Sequence, residues 1–262
     1  MTKGSAGRLA LAAATFAAGL ALWLALARSG WIGRTLLADP IDVARALAGA
    51  FDPAAPPGAR VLVHAEATLV RALAGWVIAL LVGMGCGVAL GARAWAYVLG
   101  EPLFELARAV PPILAFPLLL VAFDFGEPAY VGTIVLGCVP IVAITVARGR
   151  LGASRERSEL LAVFGVPRSV RALTAIMEVM PSCFLAARLA LSTSLVIAVV
   201  TEMVFTPRSG IALGALAKEA QMSFETDVYF AVVVVVGLFG YAANVVLRAV
   251  ERRLGLERST ST

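Results

Sequence analysis

The chain has 262 residues, of which 60% are hydrophobic and only 15% are charged, and its mean hydropathy is +0.90. Soluble globular domains are roughly 45–50% apolar and about 25% charged, so this composition excludes an ordinary soluble domain. The net charge of +5 is modest and lies mainly in short loops, and no base-reading motif is present, which together argue against nucleic acid as a partner.

Six apolar stretches are long enough to cross a bilayer, which takes about 20 mostly apolar residues. In chain order they cover residues 9–27, 72–92, 98–123, 130–147, 183–205 and 228–247. We therefore expect an all-α, polytopic membrane protein with about six transmembrane helices.

The first stretch has a second interpretation, a cleaved signal peptide. Lys3 and Arg8 precede it, and residues 25–27 read Ala-Leu-Ala, which resembles a cleavage site. Its apolar run of about 18 residues is longer than the roughly 7–15 of a signal core. We therefore favour a first helix that is retained.

Small residues and prolines distinguish the second and third stretches. Gly83, Gly87 and Gly91 form a stripe that lets helices approach closely, and we favour packing within the chain over a dimer interface. The third stretch contains three prolines, and each removes a helix hydrogen bond. Because such backbone must pack in protein or line a cavity, residues 110–116 are either a cavity wall or a kink.

Lysine and arginine set the orientation, because cytoplasmic loops carry an excess of both. With the N-terminus inside, the inside segments hold 14 basic residues and the outside segments hold 7. The contrast is clearest between the outside loop 124–129, which has none, and the inside loop 148–171, which has six. Both termini are therefore expected in the cytoplasm.

The inside segment 148–181 predicts a short helix, a sharp turn and a second helix. Ser154 or Ser158 can cap the first helix, and Glu159 near its first turn suits the helix dipole. Gly165 suits the left-handed position after a helix, and Pro167 can begin the next one. The apolar side of the first helix would consist of Leu160, Leu161, Val163 and Phe164. Taken alone, this spacing fits an ordinary basic loop equally well.

Several segments in this order resemble a known family. The spacing Glu159-Leu-Leu-x3-Gly165 resembles the EAA loop of permease subunits of binding-protein-dependent ABC importers. Six further segments resemble the nitrate, sulfonate and taurine branch of that family: His64-Ala-x-Ala-Thr68-Leu-x-Arg71, Glu105-Leu-x-Arg108-x-x-Pro111-Pro112, Pro181-x6-Arg188-Leu-Ala-Leu, Val200-Thr-Glu202-Met203, Gly210-Ile-x-Leu-Gly, and Thr226-Asp227. The resemblance covers about residues 60–254. Leu160 and Leu161 replace the usual Ala-Ala, and Glu178 replaces a usual proline.

The resemblance implies a domain organisation and a set of partners. Residues 1–60 would form an N-terminal helix and external loop, 61–254 the ABC importer transmembrane domain, and 255–262 a short cytoplasmic tail. A coupling helix between spans four and five would dock on a cytoplasmic ATPase through Glu159, Leu160, Leu161, Phe164, Gly165, Val166 and Pro167.

The implied partners are two ATPase subunits, a second copy of this permease, an extracytoplasmic solute-binding protein and the lipid bilayer of a bacterial plasma membrane. ATP and Mg would bind the ATPases, and this chain would hold no cofactor or metal. The cargo of this branch would be a small anion such as a sulfonate, taurine or nitrate.

The candidate translocation pathway combines the proline segment with polar residues near membrane depth, which are functional candidates by default. It comprises Pro111, Pro112, Phe116, Arg188, Glu202 and Met203. For Arg188 and Glu202 we favour structural pairing over contact with solute. His64, Glu66 and Arg71 are expected at the membrane interface, and residues 211–224 are expected to lie flat outside and help dock a binding protein.

Two other functions remain as alternatives. A self-contained secondary transporter or channel would need polar residues near span centres or inverted repeats, and neither is seen. A membrane-embedded enzyme would need a His/Asp/Glu cluster at one membrane face, and the chain has one histidine. No Gly-x4-Gly-Lys-[Ser/Thr] phosphate loop is present, so the chain is expected not to be an enzyme and to rely on a separate ATPase.

Overall fold

The computed structural model describes residues 3–33, 35–49, 61–124, 126–152 and 160–255. These residues are helical apart from short turns and contain no strand, which confirms the all-α prediction. The helices are α1 (Lys3–Arg28), α2 (Pro40–Gly49), α3 (Val61–Leu90), α4 (Ala94–Ala109), α5 (Phe116–Ala122), α6 (Glu127–Leu151), α7 (Arg168–Val204), α8 (Leu213–Met222) and α9 (Thr226–Arg253), with a 3₁₀ turn at Pro112–Ala115.

Five of these helices, α1, α3, α6, α7 and α9, are long and apolar enough to cross a membrane. The predicted third span is broken at its prolines, since α4 and the segment Pro112–Ala122 meet at an angle of 83°. The break falls where Val110 and Pro111 have extended backbone, with ψ of 122° and 121°. Counting the broken pair as one crossing gives the expected six spans.

Two helices begin earlier than the hydropathy pattern predicts. The second apolar stretch starts at residue 72, but α3 begins at Val61 and includes His64 and Arg71. The fifth stretch starts at residue 183, but α7 begins at Arg168. A hydropathy stretch ends where polar side chains appear, whereas a helix continues as long as its backbone amides and carbonyls stay hydrogen-bonded.

The central body consists of α3, α6 and α7, packed around small side chains. A buried cluster that includes Ala72, Ala79, Ile134, Ala186 and Ala190 joins the three helices. Small residues let the helix backbones approach closely. Within lipid no hydrophobic force drives helices together, so the dispersion contacts of this close packing hold them.

The glycine stripe of α3 faces α6. A Cβ atom added to Gly83 would lie 2.6 Å from Cβ of Val142, and one added to Gly87 would lie 2.7 Å from the carbonyl oxygen of Ala143. Gly91 meets the carbonyl of Ala147 in the same way, at 2.8 Å. The stripe therefore serves packing within the chain, as the sequence favoured.

Helix α8 forms most of the segment 211–224, which was expected to lie flat outside. Leu213, Leu216 and Ala217 are buried against Val61 and Ala65 of α3 and against α9. Its apolar face is therefore covered by the chain itself, whereas Glu219 and Gln221 are exposed. Met222 and Phe224 at its end stay exposed.

We expect Gly87→Ala to destabilise the protein, because the new methyl group would press against backbone that cannot move aside. Overpacking of this kind costs about 1–3 kcal/mol. The matched control is Gly85→Ala on the same helix, where an added Cβ meets nothing within 4 Å, and where alanine is the better helix former. Thermal unfolding of the purified protein in detergent measures both, and equal midpoints for the two variants would contradict this packing.

Candidate functional site

The loop before α7, which was expected in the cytoplasm, contains the predicted helix end. Residues 160–163 are helical, and Gly165 then adopts a φ of +71°. The amide of Gly165 donates to the Ala162 carbonyl at 3.0 Å, and the amide of Val166 donates to the Leu161 carbonyl at 2.9 Å. These are the bonds of a left-handed helix end that favours glycine. Glu159, with Ser154 and Ser158, lies outside the described residues.

Pro167 starts the next helix, as predicted. Its φ is −53°, and its carbonyl accepts hydrogen bonds from the amides of Val170 and Arg171, both at 3.1 Å. From there α7 runs 37 residues to Val204, which is about 55 Å at 1.5 Å per residue. The loop is therefore joined directly to a helix that reaches the other side of the molecule.

Apolar side chains on this loop point away from the protein. Val163 is 82% exposed and Phe164 is 79% exposed, and Leu160 is exposed beside them. Leu161 and Val166 are half-buried, while Pro167 is exposed. Contiguous exposed apolar groups of this kind mark interaction sites, so the loop offers a binding surface that this chain leaves uncovered.

A second feature lies at the opposite end of the central body, where Arg71 of α3 is buried between two carboxylates. Its Nε and Nη2 donate to the two oxygens of Glu127 on α6, at 2.5 and 2.8 Å. Its Nη1 donates to Oε1 of Glu202 on α7 at 2.8 Å and to the Ile211 carbonyl at 3.3 Å. The Glu202 side chain is 0% exposed, and that of Glu127 is 58% exposed.

Further hydrogen bonds complete this charge network. The Thr68 hydroxyl donates to Oε2 of Glu202 at 2.7 Å and accepts from the Leu213 amide at 2.8 Å. The Gly214 amide also donates to Glu202, at 3.3 Å. Gly214 must be a glycine because an added Cβ would lie 2.2 Å from the carbonyl oxygen of Val199. The network thus fastens the start of α8 onto α3 and α7.

His64 and Arg71, which were expected at the membrane interface, are both buried within the protein, and the amide of Ala212 lies 3.0 Å from Nδ1 of His64. Their depth in the bilayer stays a prediction. His64, Thr68 and Arg71 recur at spacings of four and three residues, which puts them on one helix face, and that spacing is the sequence signal for the network. Glu66, on a different face, is exposed as expected.

The six candidate pathway residues do not form one cluster. Glu202 belongs to the charge network, and Met203 follows it half-buried. Arg188 pairs with Glu251 of α9 at 3.4 Å, so both charged candidates are paired within the chain, as favoured. Phe116 is 0% exposed, and its ring lies 4.7 Å from the rings of Tyr130 and Phe205. Pro111 is exposed and Pro112 half-buried at the break.

A third polar cluster ties α4 to the end of α6, and sequence reasoning missed it. Arg148 donates to the Tyr97 hydroxyl and to Glu101, both at 2.9 Å, and to Glu105 at 3.1 Å. Arg108 donates to the other oxygen of Glu105 at 2.6 Å. Because these groups are largely solvated, water screens each pair and the pairs stabilise the fold little. The cluster orients α4 more than it stabilises the fold.

Comparison with known proteins decides the family. Residues 79–256 match the family described as binding-protein-dependent transport system inner membrane component. The chain belongs to this family. It is a permease subunit of a binding-protein-dependent importer and a multi-pass membrane protein, and the resemblance noted in its sequence is confirmed.

Similar proteins include three named permeases. The taurine transport system permease protein TauC of Escherichia coli is 26% identical over 94% of this chain and 89% of its own length. The nitrate import permease protein NrtB of Leptolyngbya laminosa is 23% identical over 72% and 67%. The bicarbonate transport system permease protein CmpB of Synechococcus elongatus is 26% identical over 64% and 60%.

We expect Arg71→Ala to destabilise the permease strongly, because it leaves the Glu202 carboxylate buried without its cation. Removing one partner of a buried pair costs about 3–5 kcal/mol. The control is Arg45→Ala, which breaks an exposed pair with Asp42 and should cost about 0–1 kcal/mol. Thermal unfolding in detergent measures both. The double variant Arg71→Met with Glu202→Gln should recover part of the loss, and a single variant no worse than the control would contradict the account.

Proposed function

We propose that two copies of this permease form a translocation pathway for a small solute, and that two cytoplasmic ATPase subunits drive them. An extracytoplasmic solute-binding protein would deliver the cargo. The observation that carries the proposal is the exposed apolar loop at residues 160–167, held by a left-handed glycine at the foot of α7. ATP and Mg would bind the ATPases, and the permease itself would bind neither.

The loop would serve as a coupling helix in a groove of the ATPase. Glu159, Leu160, Leu161, Phe164, Gly165, Val166 and Pro167 would make this contact. Closure of two ATPases around ATP would draw the two loops together and rock the permeases between inward-open and outward-open states. Reversing a 1:99 equilibrium takes about 5.5 kcal/mol of differential affinity, so the ATPases must bind one permease state much better than the other.

Stiffness between the loop and the membrane supports this use. Pro167 leads into α7 without an intervening coil, and α7 is braced where it contains Pro181. Gly149 of α6 approaches so closely there that an added Cβ would lie 2.1 Å from Oγ of Ser182. A displacement of the loop would therefore move α6 and α7 together.

The pathway would run between the two permease copies. In this arrangement Pro111, Pro112 and Met203 would lie near its surface, because Pro111 is exposed and Pro112 and Met203 are half-buried. Phe116, Arg188 and Glu202 would hold that surface from behind through their contacts with other helices.

The cargo would be a small anion or zwitterion such as nitrate, a sulfonate or taurine. The names of the similar permeases support this class, since they refer to taurine, nitrate and bicarbonate. The excess of arginine in the loop 148–171 supports a bacterial plasma membrane topology with both termini in the cytoplasm.

We expect Gly165→Val to uncouple transport while the protein still reaches the membrane. A β-branched residue is strained at a φ of +71°, so the loop would turn differently and miss the ATPase groove. The control is Gly152→Ala on the same side, where the backbone is right-handed helical. ATP hydrolysis stimulated by the loaded binding protein should fall at least about tenfold, a loss of 1.4 kcal/mol in coupling. Normal stimulation would defeat the assignment.

We expect Phe164→Ala to weaken ATPase association without destabilising the permease, because the Phe164 side chain is 79% exposed. Truncating an aromatic anchor typically costs binding about 2 kcal/mol or more. Glu159→Lys should weaken the same contact. Co-purification of the ATPase subunits with each variant measures the loss, and Leu173→Ala on the exposed surface of α7 serves as the control. Full ATPase recovery with Phe164→Ala and Glu159→Lys would rule out docking at this loop.

A further inference from the structure

A groove of about 460 Å³ lies between α3 and α6, at the end of the molecule opposite the coupling loop. Its walls are apolar and consist of Val63, Ala67, Val70, Ala74 and Val131. Glu66, Arg71 and Glu127 form its polar side. A partner that fits this groove would need both a hydrocarbon portion and a polar head.

The groove reaches beyond the hydrocarbon of the bilayer. Helix α3 has 30 residues, which is about 45 Å, whereas the hydrocarbon core is about 30 Å thick. Because the most apolar part of α3 begins near residue 72, the excess length falls at residues 61–71. Glu66 therefore faces water on the outer side of the membrane, given the orientation in the proposed function.

The polar side of the groove is acidic in effect. Arg71 already uses Nε, Nη1 and Nη2 on Glu127, Glu202 and the Ile211 carbonyl. Glu66 makes no hydrogen bond or ion pair within the part of the chain that the structure describes. Glu127 remains 58% exposed beside it. The groove would therefore attract a cation near Glu66. It would not bind an anion well, because the donors of Arg71 are already used on protein oxygens.

The residues around the groove also carry a net negative charge. Apart from the Arg71–Glu202 pair, the outer segments of the sequence carry nine carboxylates and six basic side chains. The carboxylates are Asp39, Asp42, Asp52, Glu66, Asp124, Glu127, Glu219, Glu225 and Asp227, and the basic residues are Arg28, Arg34, Arg45, Arg60, Arg208 and Lys218. Such a field steers a basic partner surface toward this end of the permease.

We propose that this groove receives a lysine or arginine side chain of the solute-binding protein. The aliphatic stem would lie on the apolar walls, as long basic side chains do on apolar surfaces, and the charged head would lie between Glu66 and Glu127. The inference rests on the proposed function, since it requires that a binding protein docks on the outer side. It adds the position of the contact and the sign of its charge.

The test uses the permease in complex with its ATPase, placed in nanodiscs of phosphatidylcholine with or without phosphatidylethanolamine. Surface plasmon resonance measures the Kd of the importer's own binding protein at low and high salt. Glu66→Gln should weaken binding about two- to fivefold, as expected for an exposed ion pair. Glu66→Arg should weaken it about tenfold or more, because like charges then oppose each other, and both effects should shrink at high salt.

The matched controls are Glu225→Gln and Glu225→Arg, which change an exposed outer carboxylate just before α9, outside the segment 211–224 and away from the groove. They change the net charge of the outer side as much as the Glu66 variants do, so they report the general field alone and should alter the Kd less than about twofold. Because Glu66 is exposed and has no partner among the described residues, its variants should unfold at the wild-type temperature, so a loss of binding would not reflect a loss of folding.

Three results would overturn the proposal. Equal Kd values for the Glu66 and Glu225 variants would mean that the groove takes no basic side chain. If the Glu66 variants change the Kd only when phosphatidylethanolamine is present, the occupant of the groove is a lipid amine. If they change the number of permease copies in the complex, the occupant is a second copy of the permease. If the wild-type complex neither binds the solute-binding protein nor shows stimulated ATP hydrolysis, the proposed importer assembly fails as well. Failure of the groove proposal alone leaves both wild-type activities intact.

Discussion

The burial of Arg71 constrains the outer half of this permease more than any other contact. A charge removed from water costs several kcal/mol unless it is paired and hydrogen-bonded, so Arg71 requires carboxylates within reach. One comes from the start of α6 and the other from near the end of α7. The Gly214 amide and the Thr68 hydroxyl satisfy the remaining oxygen of Glu202. A single guanidinium thereby fixes three helices and the segment that leads into α8.

The half nearer the loop 160–167 is held mainly by shape. Gly83, Gly87 and Gly91 bring α3 close to α6, and Gly149 of α6 lies against the Ser182 side chain of α7. Because close packing tolerates no added methyl group at these points, the three helices move as one body. Such a body suits a permease that is displaced from one end.

Local patterns in the sequence predict much of this architecture. Apolar length predicts the spans, the prolines predict the break in the third, and the spacing of Gly165 and Pro167 predicts a turn that the backbone adopts. Each of these features depends on residues close together in the chain. The resemblance to importer permeases likewise rests on short segments, and the family match confirms it.

Pairings across the chain could not be predicted in the same way. Hydropathy averages place Arg71 at a membrane surface, but they cannot show that it is buried against Glu202, which lies 131 residues away in the chain. The burial of α8 and the contacts of Arg148 also depend on which helices become neighbours. For the candidate site the turn was predictable, while Glu159 lies outside the described residues and the pathway residues stay a prediction.

The uninterrupted course of α7 has a thermodynamic consequence. One covalent helix joins the loop at Gly165 to the carboxylate of Glu202, so any ligand that favours one position of its outer end also favours one position of its inner end. Linkage is symmetric for binding free energies. In the proposed importer, engagement of the outer face would therefore change the affinity of the ATPase for its nucleotide by the same factor by which the nucleotide changes engagement outside.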